Sequence, residues 1–403
     1  MKVLVIGAGP AGIFAALTAA RSNHQVTILE QKDIIGKKIT ATGNGKCNLG
    51  NTYMKRECYH GDAKLLSSVF DVVSQEDTLA YLREMGIFIK DKNGYLYPYS
   101  ESAASVRKAM ELALLRANVE IVTSVKINSI KKTTDFMVST NVGDFTSQKL
   151  ILATGLLASP VLGSDGSLFS MIEGLGHHFT GLTPALCGFY AEGLPFEALA
   201  GVRAEGTVAL SVDGQFVEDN TGEIQFTEYG ISGIPVFQIS SLAARAILEG
   251  KKVQVGIDLF PRFTKSQWEQ VASERRSQMM PEDKILDFFL GLLSPKLASG
   301  VLSVLSVSKK TRMKDISDSL FAEIVSLCKN VSIQLTDTRD YSNAQICTGG
   351  IVSEEIHRDT LESKLVLGLY FAGELLDVDG ICGGYNLQWA FRSGIIAGRL
   401  QTR

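Results

Sequence analysis

The chain has 403 residues, enough for two or three domains with well-filled cores. Its net charge of −3 makes no field that gathers nucleic acid or anionic membrane, and no apolar run is long enough to span a bilayer. Six cysteines without CxxC spacing and five histidines without metal-ligand spacing exclude a zinc or dithiol site by motif. A soluble cytoplasmic protein with reduced thiols and no bound metal is therefore expected.

Lys2-Val3-Leu4-Val5-Ile6 reads as a strand running into Gly7-Ala8-Gly9-Pro10-Ala11-Gly12 and then a helix. The three glycines allow a tight turn and bring backbone N–H groups against a pyrophosphate, toward which the helix points its positive end. Small residues after this start imitate a secretory leader, but the glycines interrupt the apolar run at the spacing a phosphate loop requires. A second strand, Gln25 to Leu29, closes on Glu30 and Gln31. The Glu30 carboxylate is placed to accept hydrogen bonds from adenosine ribose hydroxyls, which favours FAD or NAD over NADP.

A glycine-rich loop follows, Gly36 to Asn51, too polar to be core. Its backbone amides, with Lys37, Lys38 or Lys46, are candidates to neutralise phosphate and lie along a flavin; a solvated basic loop is the alternative. Cys47 has no histidine or cysteine partner in the pattern and reads as a small packed residue, not a reactive thiol. Helical patterns come next over Asp62–Val73, Gln75–Met85 and Ala103–Ala117. Short strands follow at Glu120–Thr123, Lys126–Lys131, Phe136–Thr140 and Lys149–Leu152, the last three reading as a small antiparallel meander. Ala153-Thr154-Gly155 is a small-residue turn able to approach a cofactor closely, and His177-His178 falls in a turn after a helix.

Composition changes near Cys187. Alternating strands, including Thr207–Val212 and Gln254–Asp258, and one helix at Ile234–Leu248 occupy 188–262, and helical patterns occupy 263–328, with Pro281 and Pro295 at helix starts. A return strand lies in 329–341, so an α/β dinucleotide domain formed by 1–187 and 342–403 is split by this insertion. Strand signal resumes at Gln345–Ile351. A further strand ends on Ala372-Gly373-Glu374, placing an acid near the ribitol or pyrophosphate of a long cofactor. Gly380 to Asn386 then leads into a last helix, to Leu400, whose N-terminus at Gly383-Gly384-Tyr385-Asn386 would stabilise negative charge on a reduced flavin. No second GxGxxG stands in a strand–helix context, since Gly174-Leu175-Gly176 lacks its third glycine.

At these motifs the chain resembles the YhiN/BaiN-type flavoproteins of the glutathione-reductase-like FAD superfamily, over nearly its whole length. The most specific pieces are the loop Gly43-Asn44-Gly45-Lys46-Cys47-Asn48 and the helix start Gly383 to Asn386. The resemblance implies tightly bound, non-covalent FAD on a Rossmann-like domain split by a β-rich and a small helical module, with the active cleft between flavin and insertion. It implies that Gly7, Gly9, Gly12 and Glu30 hold the ADP half, with Val125 bringing backbone to adenine. Lys37, Gly43, Asn44, Gly45, Cys47 and Asn48 would line the middle, and Gly373, Glu374, Gly384, Tyr385 and Asn386 would bind ribitol and ring. Glu228 departs from the family, standing where histidine is common, and Glu228-Tyr229 is closer to the clostridial branch.

The expected activity is an FAD-dependent transfer of a hydride between flavin N5 and a small organic substrate. In one version NADH or NADPH is the transient donor and an activated C=C bond, as in a steroid or bile-acid enone, is reduced, with Tyr385, Tyr229 or a backbone N–H polarising the carbonyl and Glu228 beside them. In the other, an amine such as aminoacetone is oxidised by oxygen. A third reading, an RNA-modifying flavoprotein, would rest on the basic run Lys309-Lys310-Thr311-Arg312-Met313-Lys314, whose simpler reading is a solvated helix start. A small-molecule partner is expected and nucleic acid is not.

Overall fold

Val3, Leu4, Val5 and Ile6 are all buried, because β1 (Lys2–Ile6) lies in the middle of a five-stranded sheet. Strands covered on both faces read as continuous apolar runs, which is why this segment showed no alternation. The strand order is Leu369–Phe371, Lys149–Leu152, β1, β2 (Gln25–Leu29), Glu120–Val122, and every neighbouring pair is parallel. In a computed structural model describing residues 1–401, this sheet belongs to the first of two units, formed by Met1–Pro184 and the chain from Tyr341 onward.

Lys149–Leu152 is thus a strand of the main sheet, not the third strand of the meander. The meander is Ile127–Lys132, Phe136–Thr140 and Gly143–Ser147. Its alternating exposed and buried residues contrast with the unbroken buried run Leu150–Leu152. The loop from Gly36 is also less solvated than its composition suggests: Lys37–Gly45 winds into 3-10 turns, and Ile39, Cys47 and Leu49 are buried anchors. Of Gln345–Ile351, only Ile346–Thr348 is a strand.

The helix α1 (Pro10–Arg21) packs along the final helix, Tyr385–Gly398. Small residues make the approach possible. A Cβ at Gly394 would lie 2.4 Å from the Ala11 carbonyl oxygen, and one at Gly398 would lie 2.4 Å from that of Ala15. The order of these contacts makes the two helices run in the same direction.

The second unit, Ala185–Asp340, holds a closed barrel of the strands Phe189–Glu192, Gly230–Ser232, Gln215–Phe226, Arg203–Val212, Val253–Asp258 and Val331–Thr338. Helices Lys265–Ser277, Ile285–Phe288, Pro295–Val304 and Asp318–Leu327 share its apolar core, where Trp268 stacks on Phe260 and donates to the Val325 carbonyl at 2.8 Å. Pro295 opens a helix, as expected, whereas Pro281 sits in a turn ahead of one. The helix expected over Ile234–Leu248 breaks at Ile239; there Ser240 Oγ donates to the Phe237 carbonyl at 2.6 Å. Among the described residues, no helix is long and apolar enough to cross a membrane.

His177 does lie in the turn after the helix Phe169–Gly174, and it is fully buried. Its Nδ1 is 3.2 Å from a Glu355 oxygen and its Nε2 is 2.8 Å from Ser363 Oγ, while Glu355 also accepts the His178 N–H at 2.9 Å. Burial lowers the His177 pKa, with Glu355 opposing. The unfolded chain therefore binds this proton more readily than the folded one. Stability is complete above the ordinary histidine range and falls as pH drops below about 6.5, by at most about 1.4 kcal/mol per pH unit, until the lowered folded-state pKa is reached. Urea unfolding at pH 8 and 5.5 should show this loss in the native protein and a smaller one in His177→Gln; equal losses would remove His177 from the account.

Candidate cofactor site

Four segments leave the parallel sheet at its carboxyl edge: Gly7 after β1, Glu30 after β2, Ala153-Thr154-Gly155 after Lys149–Leu152, and Ala372-Gly373-Glu374 after Leu369–Phe371. The chain continues to opposite sides of β1 here, which is where open α/β sheets bind ligands. Gly7 turns with φ 99°, and a Cβ on it would lie 2.5 Å from the Ala153 carbonyl oxygen. A Cβ on Gly12 would lie 1.9 Å from the Gly7 carbonyl oxygen, so α1 rests directly on the turn. Gly9 differs: it caps α1 with extended backbone and no side-chain bond, and a Cβ there would meet nothing within 4 Å. The N–H groups of Ala11 and Gly12 in the first turn of α1, where Pro10 has none to offer, thus have no side-chain cap, and with the open space at Gly9 they make a cradle suited to a pyrophosphate.

Glu30 is buried, and its two oxygens accept N–H bonds from Ala8 and Lys32, each at 2.8 Å. Those bonds fix the carboxylate yet leave each oxygen a lone pair for a ribose hydroxyl. Burial raises its pKa, and the same N–H bonds work against that rise. Val125 donates its N–H to the Glu30 carbonyl at 2.9 Å, which brings its backbone beside Glu30. Gln31 turns away, donating to the Gly163 carbonyl at 2.6 Å.

The three loop lysines do not form a free phosphate clamp. Lys37 pairs with Asp33 at 2.8 Å, Lys46 with Glu101 at 3.3 Å and Lys38 with Glu374 at 3.2 Å. Lys90 joins Lys46 on Glu101, and together they hold its carboxyl down at about 2. Glu374 also accepts the Cys347 N–H at 2.8 Å and lies 3.2 Å from where a Gly155 Cβ would stand. It ties the Gly36–Asn51 segment to two strand ends. Within that segment, Gly43 and Asn44 take left-handed backbone, and Asn48 accepts the Gly50 N–H at 3.3 Å. Burial pushes the Cys47 thiol up to about 11, so it stays protonated near neutrality and fits the packed role.

At the start of the final helix, Gly384 has φ 92°, and a Cβ there would lie 2.7 Å from Gly50 backbone atoms. The helix start and the loop therefore meet backbone to backbone, and the N-terminus carries no side-chain cap. Two expectations change here. Tyr385 is buried, its hydroxyl donates to the Tyr53 carbonyl at 3.1 Å, and burial pushes its pKa up. Its proton is committed to the protein, which removes it as a carbonyl-polarising donor. Asn386 spends its amide on Gly380, accepting that N–H at 2.8 Å and donating to that carbonyl at 2.7 Å, so it braces the strand Val378–Gly380.

Glu228 and Tyr229 lie in the second unit, in the turn between Gln215–Phe226 and Gly230–Ser232. Glu228 is exposed; Tyr229 packs on Tyr190 with ring centroids 5.3 Å apart and lies under Arg339. The basic run of that unit is partly neutralised: Arg312 and Lys314 both pair with Glu282, at 2.6 and 2.7 Å.

Three supporting residues were not singled out for these roles from sequence. Trp389 donates to the Gly373 carbonyl at 3.1 Å, and Ser393, one turn on, accepts the Gly373 N–H at 2.9 Å. Gln388, fully buried, donates to the Leu49 carbonyl at 2.8 Å. Polar residues one helical turn apart on an otherwise apolar helix are the available signal.

Gly9 and Gly12 separate binding from folding. Gly9→Val should leave the stability of the flavin-free protein within about 0.5 kcal/mol, while weakening FAD binding at least tenfold, about 1.4 kcal/mol. Gly12→Val should cost about 3 kcal/mol or more of stability through its clash with Gly7. Thermal unfolding and flavin-fluorescence titration check both; Gly9→Val protein that binds FAD as tightly as the native protein would remove the cradle.

The model of the HI0933-like protein Rossmann domain matches residues 1–400. The 3-dehydro-bile acid delta(4,6)-reductase of Clostridium scindens is 40% identical over 402 residues, covering 99% of this chain and 98% of its own. The ribosomal RNA dihydrouridine synthase of Haemophilus influenzae is 27% identical over 406 residues, covering 97% and 96%. Among solved structures, a 3-ketosteroid-delta4-(5alpha)-dehydrogenase from Rhodococcus jostii in complex with 4-androstene-3,17-dione is similar with a TM-score of 0.50. It covers 98% of this chain and 96% of that one at 13% identity, a likeness of fold alone. Taken with a sheet edge built to receive a dinucleotide, these matches show that the chain belongs to the HI0933-like Rossmann-domain family and is an FAD-dependent oxidoreductase.

Proposed function

We propose that this protein uses NADH or NADPH to reduce a C=C bond conjugated to a carbonyl in a steroid-like small molecule, of the 3-oxo bile-acid class. The observation that carries the reading is the 40% identity, over 99% of this chain, to the Clostridium scindens bile-acid reductase. FAD held at this sheet edge would supply the two-electron chemistry that links a nicotinamide donor to the substrate. In such an enone the hydride adds to the β-carbon, the π pair moves toward the carbonyl oxygen, and a proton completes the α-carbon. The protein's task is to hold that oxygen by a donor while negative charge collects on it. The uncapped starts of α1 and of the final helix supply fixed positive dipole ends for the diphosphate and the ring. The second unit is a barrel with helices, so the nicotinamide has no parallel sheet of its own among the described residues and is read as a transient visitor.

A second reading is favoured by the ribosomal RNA dihydrouridine synthases of Haemophilus influenzae and Escherichia coli, each 27% identical and covering 97% of this chain. The chemistry is related, because dihydrouridine is uridine with a carbonyl-conjugated C=C bond saturated. The pairing of Arg312 and Lys314 with Glu282 weighs against an RNA surface on that run.

Anaerobic absorbance spectroscopy tests the proposal. NADH or NADPH should bleach the flavin, and a 3-oxo-4-ene bile acid should restore its colour, yielding the saturated ketone. Bleaching by aminoacetone but by neither nicotinamide would make the protein an amine oxidase. Recolouring by ribosomal RNA alone would favour the second reading.

A further inference from the structure

The strand Tyr95–Pro98 turns two aromatic rings toward the loop and helix start assigned to the flavin. Alternate residues of a strand share a face, and Tyr95 and Tyr97 share this one, with Leu96 buried on the other. A Cβ at Gly43 would lie 3.5 Å from Tyr97 Cε1, and one at Gly383 would lie 3.4 Å from Tyr95 Cε1. Each ring therefore stands against a glycine that the cofactor reading uses.

The Tyr97 hydroxyl is also free among the described residues, on a ring less exposed than those of the other unpartnered tyrosines of the first unit. Tyr53, Tyr59, Tyr341 and Tyr385 all commit theirs to Glu57 or to a backbone carbonyl. Among the described residues Tyr97 has no such partner, although it is half-buried; Tyr95 and Tyr99, likewise without one, are exposed to water at 37% and 68%. The Tyr97 hydroxyl is not among the buried polar atoms that lack a partner, so water reaches it and a ligand oxygen can take the water's place.

We propose that the Tyr97 hydroxyl donates the hydrogen bond that holds the substrate's carbonyl oxygen beside the flavin. This rests on the enone-reductase reading and names the donor that the reading requires, in place of Tyr385. The Tyr97 phenol is pushed up by burial, with Tyr95, Cys382 and Glu101 adding to the rise. Glu101 is itself held ionised by Lys90 and Lys46, so its negative charge persists near neutrality and keeps opposing loss of the Tyr97 proton. Tyr97 thus keeps its proton and acts as a hydrogen-bond donor, while water supplies the proton that the substrate's α-carbon gains.

The test uses Tyr97→Phe holoenzyme, which keeps the ring and removes only the hydroxyl, with Tyr99→Phe as control. The probe is 4-androstene-3,17-dione, titrated against the oxidised protein and followed by the flavin's visible band. Tyr97→Phe should carry FAD normally and be bleached by the nicotinamide at the native rate. Its affinity for the probe should fall about tenfold, and the rate at which the probe recolours reduced flavin should fall about 100-fold or more. Tyr99→Phe should match the native protein in every respect. If the native protein responds to the probe and Tyr97→Phe responds equally, this inference alone fails. Loss of FAD from Tyr97→Phe would overturn it too, by making Tyr97 a packing residue. If the native protein neither binds nor reduces the probe, the enone reading fails and takes the inference with it.

Discussion

Ala11 and Ala15 of α1 meet Gly394 and Gly398 of the final helix at backbone distance, and no larger side chain fits at either glycine. This contact joins the beginning of the chain to its end and fixes how the two helices are staggered. Counted from the Ala11–Gly394 contact, the final helix begins eight residues further back than α1. At 1.5 Å per residue its N-terminus therefore projects roughly 12 Å beyond that of α1, in the same direction. One positive dipole end can then serve a pyrophosphate while the other serves a flavin ring at the far end of a ribityl chain. The stagger is a consequence of the glycine packing between the two helices.

The charge at this edge comes mainly from backbone groups. Lys37, Lys38 and Lys46 each face a carboxylate, so the loop's positive composition is largely cancelled where it lies. What remains are the uncapped helix starts and the oriented Glu30 carboxylate. Fixed dipoles of this kind need no reorganisation when a ligand arrives, whereas long lysine side chains would have to be immobilised. Glu374 has a mechanical part: one carboxylate gathers Lys38, the Cys347 N–H and the edge of Gly155.

The parallel sheet and its first turn were legible because their cause is local. Burial on both faces leaves an unbroken apolar run, while the left-handed turn beside the Ala153 carbonyl demands glycine at position 7 and the seating of α1 on that turn demands it at position 12. Glu30 was legible for the same reason, as the residue closing the next strand. Side-chain duties set by distant partners were not. Tyr385 and Asn386 follow the paired glycines Gly383 and Gly384, yet Tyr53 and Gly380 engage their polar groups. Lys149–Leu152 looked like a continuation of the meander because its partners, β1 and Leu369–Phe371, are far away in sequence. Tyr97 gave no signal in sequence at all; its unused hydroxyl matters only once Gly43 is seen beside it.

The most direct test of this account is the stoichiometry of flavin released by heat from the purified native protein. One FAD per chain, leaving with the yellow colour, is the predicted result. Protein that is colourless, and stays so after incubation with excess FAD, would contradict it.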